Sequence, residues 1–121
     1  IEYCLKSDEL GDPHISSDHI LTMELCSEET LELIDEYSLR INDILRSVFY
    51  VAGLNLVDFK LEFGFSKKDK SLVLADEISP DTCRLWDIKS NEKLDKDRFR
   101  RDLGKVEEAY LEVMTRLGLK L

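Results

Sequence analysis

Apolar residues recur at helical spacing in two parts of the chain. Between Leu31 and Phe49 they follow one another at intervals of three and four, which predicts an amphipathic helix packed on a core. Ser27 precedes this helix as an N-cap, and Gly53 suits its C-terminal end. A second helix is predicted from Asp95 to Gly118. Its apolar face comprises Phe99, Leu103, Val106, Tyr110, Val113 and Leu117.

Strand patterns lie mainly between these two helices. Residues 54–65 alternate apolar and charged side chains, and 71–76 form a second short run with a polar connection, which predicts an antiparallel hairpin. Residues 1–5 predict a short strand, whereas 77–93 predict an irregular segment. The expected fold class is therefore α+β, with one antiparallel sheet that contains the 54–65 and 71–76 strands and is covered on one side by the two long helices.

Length and charge narrow the class of protein further. The 121 residues suit one small domain, and a formal net charge of -9 argues against a nucleic-acid-binding surface. No apolar run approaches the roughly 20 residues that cross a bilayer. The cysteines show no metal or redox spacing and are expected to be reduced in a cytoplasmic protein. They are Cys4, Cys26 and Cys83.

Candidate chemistry begins in the strand 54–65. Side chains at alternate strand positions share a face, so Asp58, Lys60 and Glu62 are expected to point together. From spacing alone, a solvated face of an amphipathic strand explains this pattern more simply than an active site does.

A second group of candidates follows the hairpin. Asp76 could lie across from Glu62, and the two carboxylates would then suit Mg²⁺, which prefers oxygen ligands. Arg84 carries a planar fork that can bind phosphate or carboxylate. The alternative for Arg84 is a surface ion pair with Asp87 or Asp81.

Four ordered segments carry a specific family resemblance. They are LVDFKLEFG at 56–64, LADEISPD at 74–81, RLWD at 84–87 and KLDKDRFR at 93–100. Together they resemble the phosphoribosylaminoimidazole-succinocarboxamide synthase family, also called SAICAR synthetases, over essentially all 121 residues. The resemblance implies an ATP-dependent ligase of purine biosynthesis that joins L-aspartate to carboxyaminoimidazole ribonucleotide, through an acyl phosphate, with Mg²⁺.

The resemblance also implies residue roles. Glu62 and Asp76 would bind Mg²⁺ and the nucleotide phosphates. The expected ribonucleotide contacts are Asp58, Lys60, Asp81 and Arg84, of which Asp58, Lys60 and Arg84 are the expected catalytic residues. Lys6 and Asp12 match a loop that would help to place aspartate.

Family members are about twice as long, which implies that 1–121 is their C-terminal substrate- and Mg-nucleotide-binding domain. It would form the C-terminal portion of an ATP-grasp or kinase-like fold. The N-terminal nucleotide-binding lobe of that fold would be absent from this chain. Its start at Ile1, without an initiator Met, also suggests a chain that begins mid-protein. The chain alone is therefore expected to be inactive, with the missing lobe as its partner and a homodimer left open. A non-catalytic assembly module is the alternative, whereas a protein kinase is disfavoured by the lack of HRD and DFG motifs.

Overall fold

The computed structural model describes residues 1–120, which divide along the chain into two compact units between Arg40 and Ile41. The fold is α+β, as predicted. Its helices are α1 Ser17–Thr22, α2 Glu28–Val51, α3 Asp97–Arg100 and α4 Val106–Arg116. Its strands are β1 Tyr3–Cys4, β2 His14–Ile15, β3 Leu54–Phe59, β4 Glu62–Phe65, β5 Leu72–Ala75 and β6 Cys83–Asp87. Within residues 1–120, no helix combines the length and apolar character needed to span a membrane.

The first unit, residues 1–40, begins with a small antiparallel pair. Strands β1 and β2 pair Tyr3 with Ile15, so the predicted N-terminal strand is present in a shorter form. The Ser16 side chain caps α1 by accepting from the His19 backbone N–H at 3.2 Å. The Tyr3 hydroxyl donates to Asp35, and burial together with this carboxylate raises the pKa of Tyr3 to about 12. This contact ties β1 to α2 within the unit.

Helix α2 confirms the strongest helix prediction. The Ser27 hydroxyl accepts from the Thr30 backbone N–H at 3.2 Å, as an N-cap does. Acidic side chains in the first turn favour the positive end of the helix dipole. Gly53 follows the helix with φ +73°, a conformation that is costly for residues with a Cβ. The cap, charge and glycine signals therefore defined both helix ends from sequence alone.

In the second unit, residues 41–120, the predicted strand 54–65 is divided in two. Strand β3 ends at Phe59 and pairs antiparallel with β6, which lies in the segment expected to be irregular. Leu56 pairs with Leu85 and Asp58 with Arg84, which leaves Val57 as an unpaired extra residue. This β-bulge shifts the alternation, so that Phe59 packs against the core that Leu54 also enters.

The predicted hairpin is confirmed, although it forms its own sheet. Strands β4 and β5 pair antiparallel, with Glu62 opposite Ala75 and Gly64 opposite Val73. The expectation of one sheet containing 54–65 and 71–76 is therefore wrong. The strands of residues 1–120 form three separate two-stranded sheets, because the chain changes partner after Phe59.

The hydrophobic core of the second unit joins both helices to the β3–β6 sheet. Leu54 and Leu85 are almost completely buried at its centre. The remaining core members are Phe49 of α2, Cys83 of β6, Leu94, and Ala109 and Val113 of α4. Burial raises the pKa of the Cys83 thiol, which keeps it protonated and makes it a small apolar core residue.

The prediction of one long helix from Asp95 to Gly118 is wrong. Helix α3 is a single turn, and the eleven-residue α4 begins only at Val106. Arg98 explains the break, because its Nε donates to the Gly104 carbonyl at 2.7 Å and its Nη1 to the Lys93 carbonyl at 2.9 Å. Its buried guanidinium therefore stabilises a turn, and Phe99 before that turn is 70% exposed.

Asp95 is a buried carboxylate that organises this turn. It is 1% exposed and accepts from the backbone N–H of Leu85 at 2.8 Å and of Asp97 at 2.7 Å. We expect Asp95→Ala to lower the free energy of unfolding by about 1–3 kcal/mol, because a buried amide loses its acceptor. Asp95→Asn keeps one acceptor oxygen and should cost less.

The measurement is urea unfolding of the intact protein, meaning the longest natural form that contains residues 1–121. Equal losses of stability for the two variants would show that the lost packing, and not the lost acceptor, decides the effect.

Candidate functional site

Lys60 is the centre of the first group of candidate residues. Its ammonium Nζ lies 2.9 Å from Glu62 Oε1 and 3.0 Å from Asp76 Oδ2. The three residues are the residue after β3, the first residue of β4 and the residue after β5. Because Glu62 pairs with Ala75, the β4–β5 register brings Asp76 beside Glu62. Ala75, and not Asp76, lies opposite Glu62, so the predicted pairing is off by one residue, yet both carboxylates contact the Lys60 ammonium.

Asp76 has an unusual backbone and a perturbed acidity. Its φ is +72°, a conformation in which non-glycine residues are uncommon. Hydrogen bonds from Glu77 and from Lys60 lower the pKa of Asp76 to about 2, and the carboxylates of Glu62 and Asp76 raise the pKa of Lys60. At neutral pH, Asp76 is therefore ionised and Lys60 protonated.

Arg84 is the centre of the second group. Its Nη1 lies 2.7 Å from Asp58 Oδ2, across the β3–β6 pair, and its Nε lies 3.2 Å from Asp97 Oδ2. Asp97 is in turn bound by Arg100 at 2.9 Å, which lowers the pKa of the Asp97 carboxyl. Arg84 therefore pairs with Asp58 and Asp97, and not with Asp87 or Asp81 as the sequence alternative had it. These two contacts hold the guanidinium from both sides.

Asp81 is the centre of the third group. The Tyr110 hydroxyl donates to Asp81, and Lys96 Nζ lies 3.7 Å from its Oδ2. Burial of the phenol and the hydrogen bond to Asp81 both raise the pKa of Tyr110. The Asp81 backbone N–H donates to the Ser79 hydroxyl at 3.1 Å, which fixes the turn before β6. Asp81 is thus held by one phenol and one nearby cation.

Backbone contacts connect the three groups to one end of the β3–β6 sheet. Asp58 pairs with Arg84, and the Lys60 backbone N–H donates to the Thr82 carbonyl at 2.8 Å. Asp81 directly precedes Thr82. We call this cluster the strand-end site, and its members are Asp58, Lys60, Glu62, Asp76, Asp81 and Arg84.

Lys6 and Asp12 belong to the first unit, in the turn between β1 and β2. Asp12 Oδ1 accepts from the Ser7 backbone N–H at 2.7 Å, and Asp12 itself has φ +51°. The carboxylate therefore stabilises its own turn. The assignment of these two residues to aspartate placement stays a prediction.

Several residues around the strand-end site were missed by sequence reasoning. Tyr110 was assigned to the apolar face of a helix, yet its hydroxyl binds Asp81. Asp97 and Lys96 were not assigned to the site, although each contacts one of its members. No local pattern signals these contacts, because they depend on how α3 and α4 pack against the sheet.

Glu62 and Asp76 are the residues that could hold a divalent cation. Over residues 1–120, no cluster of three or more His, Cys, Asp or Glu side chains is arranged for metal binding. Mg²⁺ does not require such a cluster, because one or two carboxylates, waters and substrate phosphates commonly complete its shell. The donor chemistry of the pair therefore fits Mg²⁺. A surface depression of about 420 Å³ lined by α2 and β3 residues contains none of the predicted site residues.

Together, the fold and site define an α+β protein in which carboxylates and ion-paired cations cluster at a strand end. The SAICAR synthetase family model matches residues 1–117. The chain belongs to this family.

Its relatives cover nearly the whole chain. It is 58% identical over 121 residues to the phosphoribosylaminoimidazole-succinocarboxamide synthase of Acidiphilium cryptum, covering 98% of this chain and 48% of that protein. The crystal structure of the enzyme from Ehrlichia chaffeensis matches with a TM-score of 0.95 and 51% identity, covering 99% of this chain and 52% of that one. A SAICAR synthetase (Type-2) in complex with ADP matches with a TM-score of 0.92 and 47% identity, covering 99% and 51%. The chain thus spans about half the length of these relatives.

Proposed function

We propose that residues 1–121 form the C-terminal substrate- and Mg-nucleotide-binding domain of an ATP-dependent ligase of purine biosynthesis. The reaction joins L-aspartate to carboxyaminoimidazole ribonucleotide and gives SAICAR, ADP and phosphate. The observation that carries this proposal is the convergence of Glu62 and Asp76 on one cationic centre, beside the Arg84 fork, in a chain of the SAICAR synthetase family.

Glu62 and Asp76 form the nucleotide side of the site. They would hold Mg²⁺ through carboxylate oxygens, as the low pKa of Asp76 favours, since metal binding requires the ionised form. When bound, Mg²⁺ neutralises charge on the transferring phosphoryl group. The similarity to a SAICAR synthetase in complex with ADP supports nucleotide binding by the protein.

Asp58, Lys60, Asp81 and Arg84 form the ribonucleotide side. Arg84 is already oriented by Asp58 and Asp97, so its remaining N–H groups can bind an anionic group of the ribonucleotide with little loss of conformational freedom. Lys60 offers a second cation to the reacting carboxylate. Asp58, Lys60 and Arg84 thus act by positioning charge around the reacting atoms, and Asp81 binds a polar group of the ribonucleotide.

Other parts of the proposed enzyme lie outside the strand-end site. The half of its relatives that this chain does not span would supply the other nucleotide-binding lobe, of the ATP-grasp or kinase-like type. Lys6 and Asp12 would help to place aspartate. The free cysteines agree with a cytoplasmic enzyme.

The test compares the intact protein with the 121-residue chain. We expect the intact protein to release ADP only when ATP, Mg²⁺, L-aspartate and carboxyaminoimidazole ribonucleotide are all present, and mass spectrometry should show SAICAR. The chain alone should show no turnover. An intact protein that neither turns over nor binds Mg²⁺–ADP would favour the alternative of a non-catalytic assembly module.

A further inference from the structure

Lys60 forms ion pairs with Glu62 and Asp76, the two residues to which the proposed function assigns Mg²⁺. Its ammonium lies within 3.0 Å of both Glu62 and Asp76, the pair assigned to Mg²⁺, while Lys60 itself is assigned to the ribonucleotide. The side-chain ammonium therefore lies at the point where the two carboxylates converge. It neutralises one of their two negative charges, as a bound cation would.

The ammonium and a divalent ion cannot share this position. Mg²⁺ binds oxygen at about 2.0–2.1 Å, so an ion bound to both carboxylates lies close to the point that Nζ now occupies. Two cations at such a short distance repel each other. Lys60 is 58% exposed and has a long, flexible side chain, so it can leave without disturbing the core.

We propose that Lys60 is an internal counter-ion that competes with the divalent cation for Glu62 and Asp76. When the metal binds, the ammonium is displaced and becomes available to an anionic group of the ribonucleotide. This inference rests on the proposed function, because it uses the ligand assignments made there.

A consequence is that metal and ribonucleotide bind cooperatively. A ribonucleotide that attracts the ammonium frees the carboxylates, and a metal that occupies the carboxylates frees the ammonium. Thermodynamic linkage makes the two effects equal, so each ligand raises the affinity for the other by the same factor. Lys60 would thus be a positioning residue for metal binding as well as a substrate contact.

The test measures Mn²⁺ affinity of the intact protein by electron paramagnetic resonance of the free ion, without any turnover. Lys60→Met should bind Mn²⁺ about 5- to 50-fold more tightly than wild type when no ribonucleotide is present, in the range of ordinary coupling between sites. Adding carboxyaminoimidazole ribonucleotide should raise the Mn²⁺ affinity of wild type and leave that of Lys60→Met unchanged.

Two controls identify the site. Lys68→Met removes one positive charge from the exposed tip of the same hairpin and should leave Mn²⁺ affinity close to that of wild type. Adding Glu62→Gln to Lys60→Met should abolish the increase in Mn²⁺ affinity that Lys60→Met produces.

Equal Mn²⁺ affinity in wild type and Lys60→Met would overturn the counter-ion role while leaving the metal site in place. A gain of the same size in Lys68→Met would overturn it as well, since net charge alone would then account for the effect. Absence of any Mn²⁺ binding that depends on Glu62, with or without ADP, would instead refute the ligand assignment in the proposed function.

Discussion

Glu62→Gln is expected to lower the ligase turnover of the intact protein by about 10²- to 10³-fold, because a metal centre contributes several kcal/mol to stabilising the transition state. The substitution keeps the size of the side chain and removes only its negative charge. The carboxylate is 26% exposed and lies outside the hydrophobic core, so the loss should come from chemistry and not from unfolding. The Mg²⁺ concentration that gives half-maximal rate should also rise.

Steady-state kinetics at several Mg²⁺ concentrations measure both effects, and thermal unfolding of the same samples checks the fold. Glu107→Gln is the matched control, since Glu107 is an exposed acidic residue in the first turn of α4. Turnover of Glu62→Gln equal to that of Glu107→Gln would refute the proposal that Glu62 holds the metal.

Leu85→Ala is expected to give the largest loss of stability, about 2–5 kcal/mol, because it leaves a cavity where packing is complete. Leu85 has no exposed surface and lies on β6, one residue from Arg84. Its backbone N–H is also the donor that Asp95 binds. Loss of packing at this position should therefore also disorder the contacts that orient Arg84.

Urea unfolding of the intact protein, followed by circular dichroism, measures this loss. Leu111→Ala is the control, since Leu111 is 47% exposed on α4 and alanine favours helix. Its effect should stay within about 0.5 kcal/mol. A loss for Leu85→Ala as small as that would mean that the site relaxes to fill the cavity, and that the core tolerates a smaller residue here.

The strand-end site combines contacts of short and long sequence separation. Lys60 and Glu62 are only two residues apart, so their salt bridge is a local contact between the residue after β3 and the first residue of β4. Arg84 and Asp58 are 26 residues apart, and their contact requires that β6 pair with β3. Only the first kind of contact can be recognised in a sequence pattern, because the second depends on which strands become neighbours.

The sequence by itself determined the elements with strong local signals. Helix α2 was predicted because its cap, apolar stripe and terminal Gly53 agree with one another, and the β4–β5 hairpin because alternation and a polar turn coincide. The hairpin also predicted that Glu62 and Asp76 lie near the same end, but its register was left open, and the structure pairs Glu62 with Ala75, one residue before Asp76.

Only the tertiary structure decided how the strand 54–65 is divided and what Arg84 binds. The bulge at Val57 shifts the alternation of β3, so that Leu54, Leu56 and Phe59 all pack against the core. No local sequence pattern predicts an extra residue at this position. The buried Arg98 likewise ends α3 by binding carbonyl groups outside it. These features depend on packing between residues far apart in the chain. In the sequence, the residues involved look like any other apolar or charged residues.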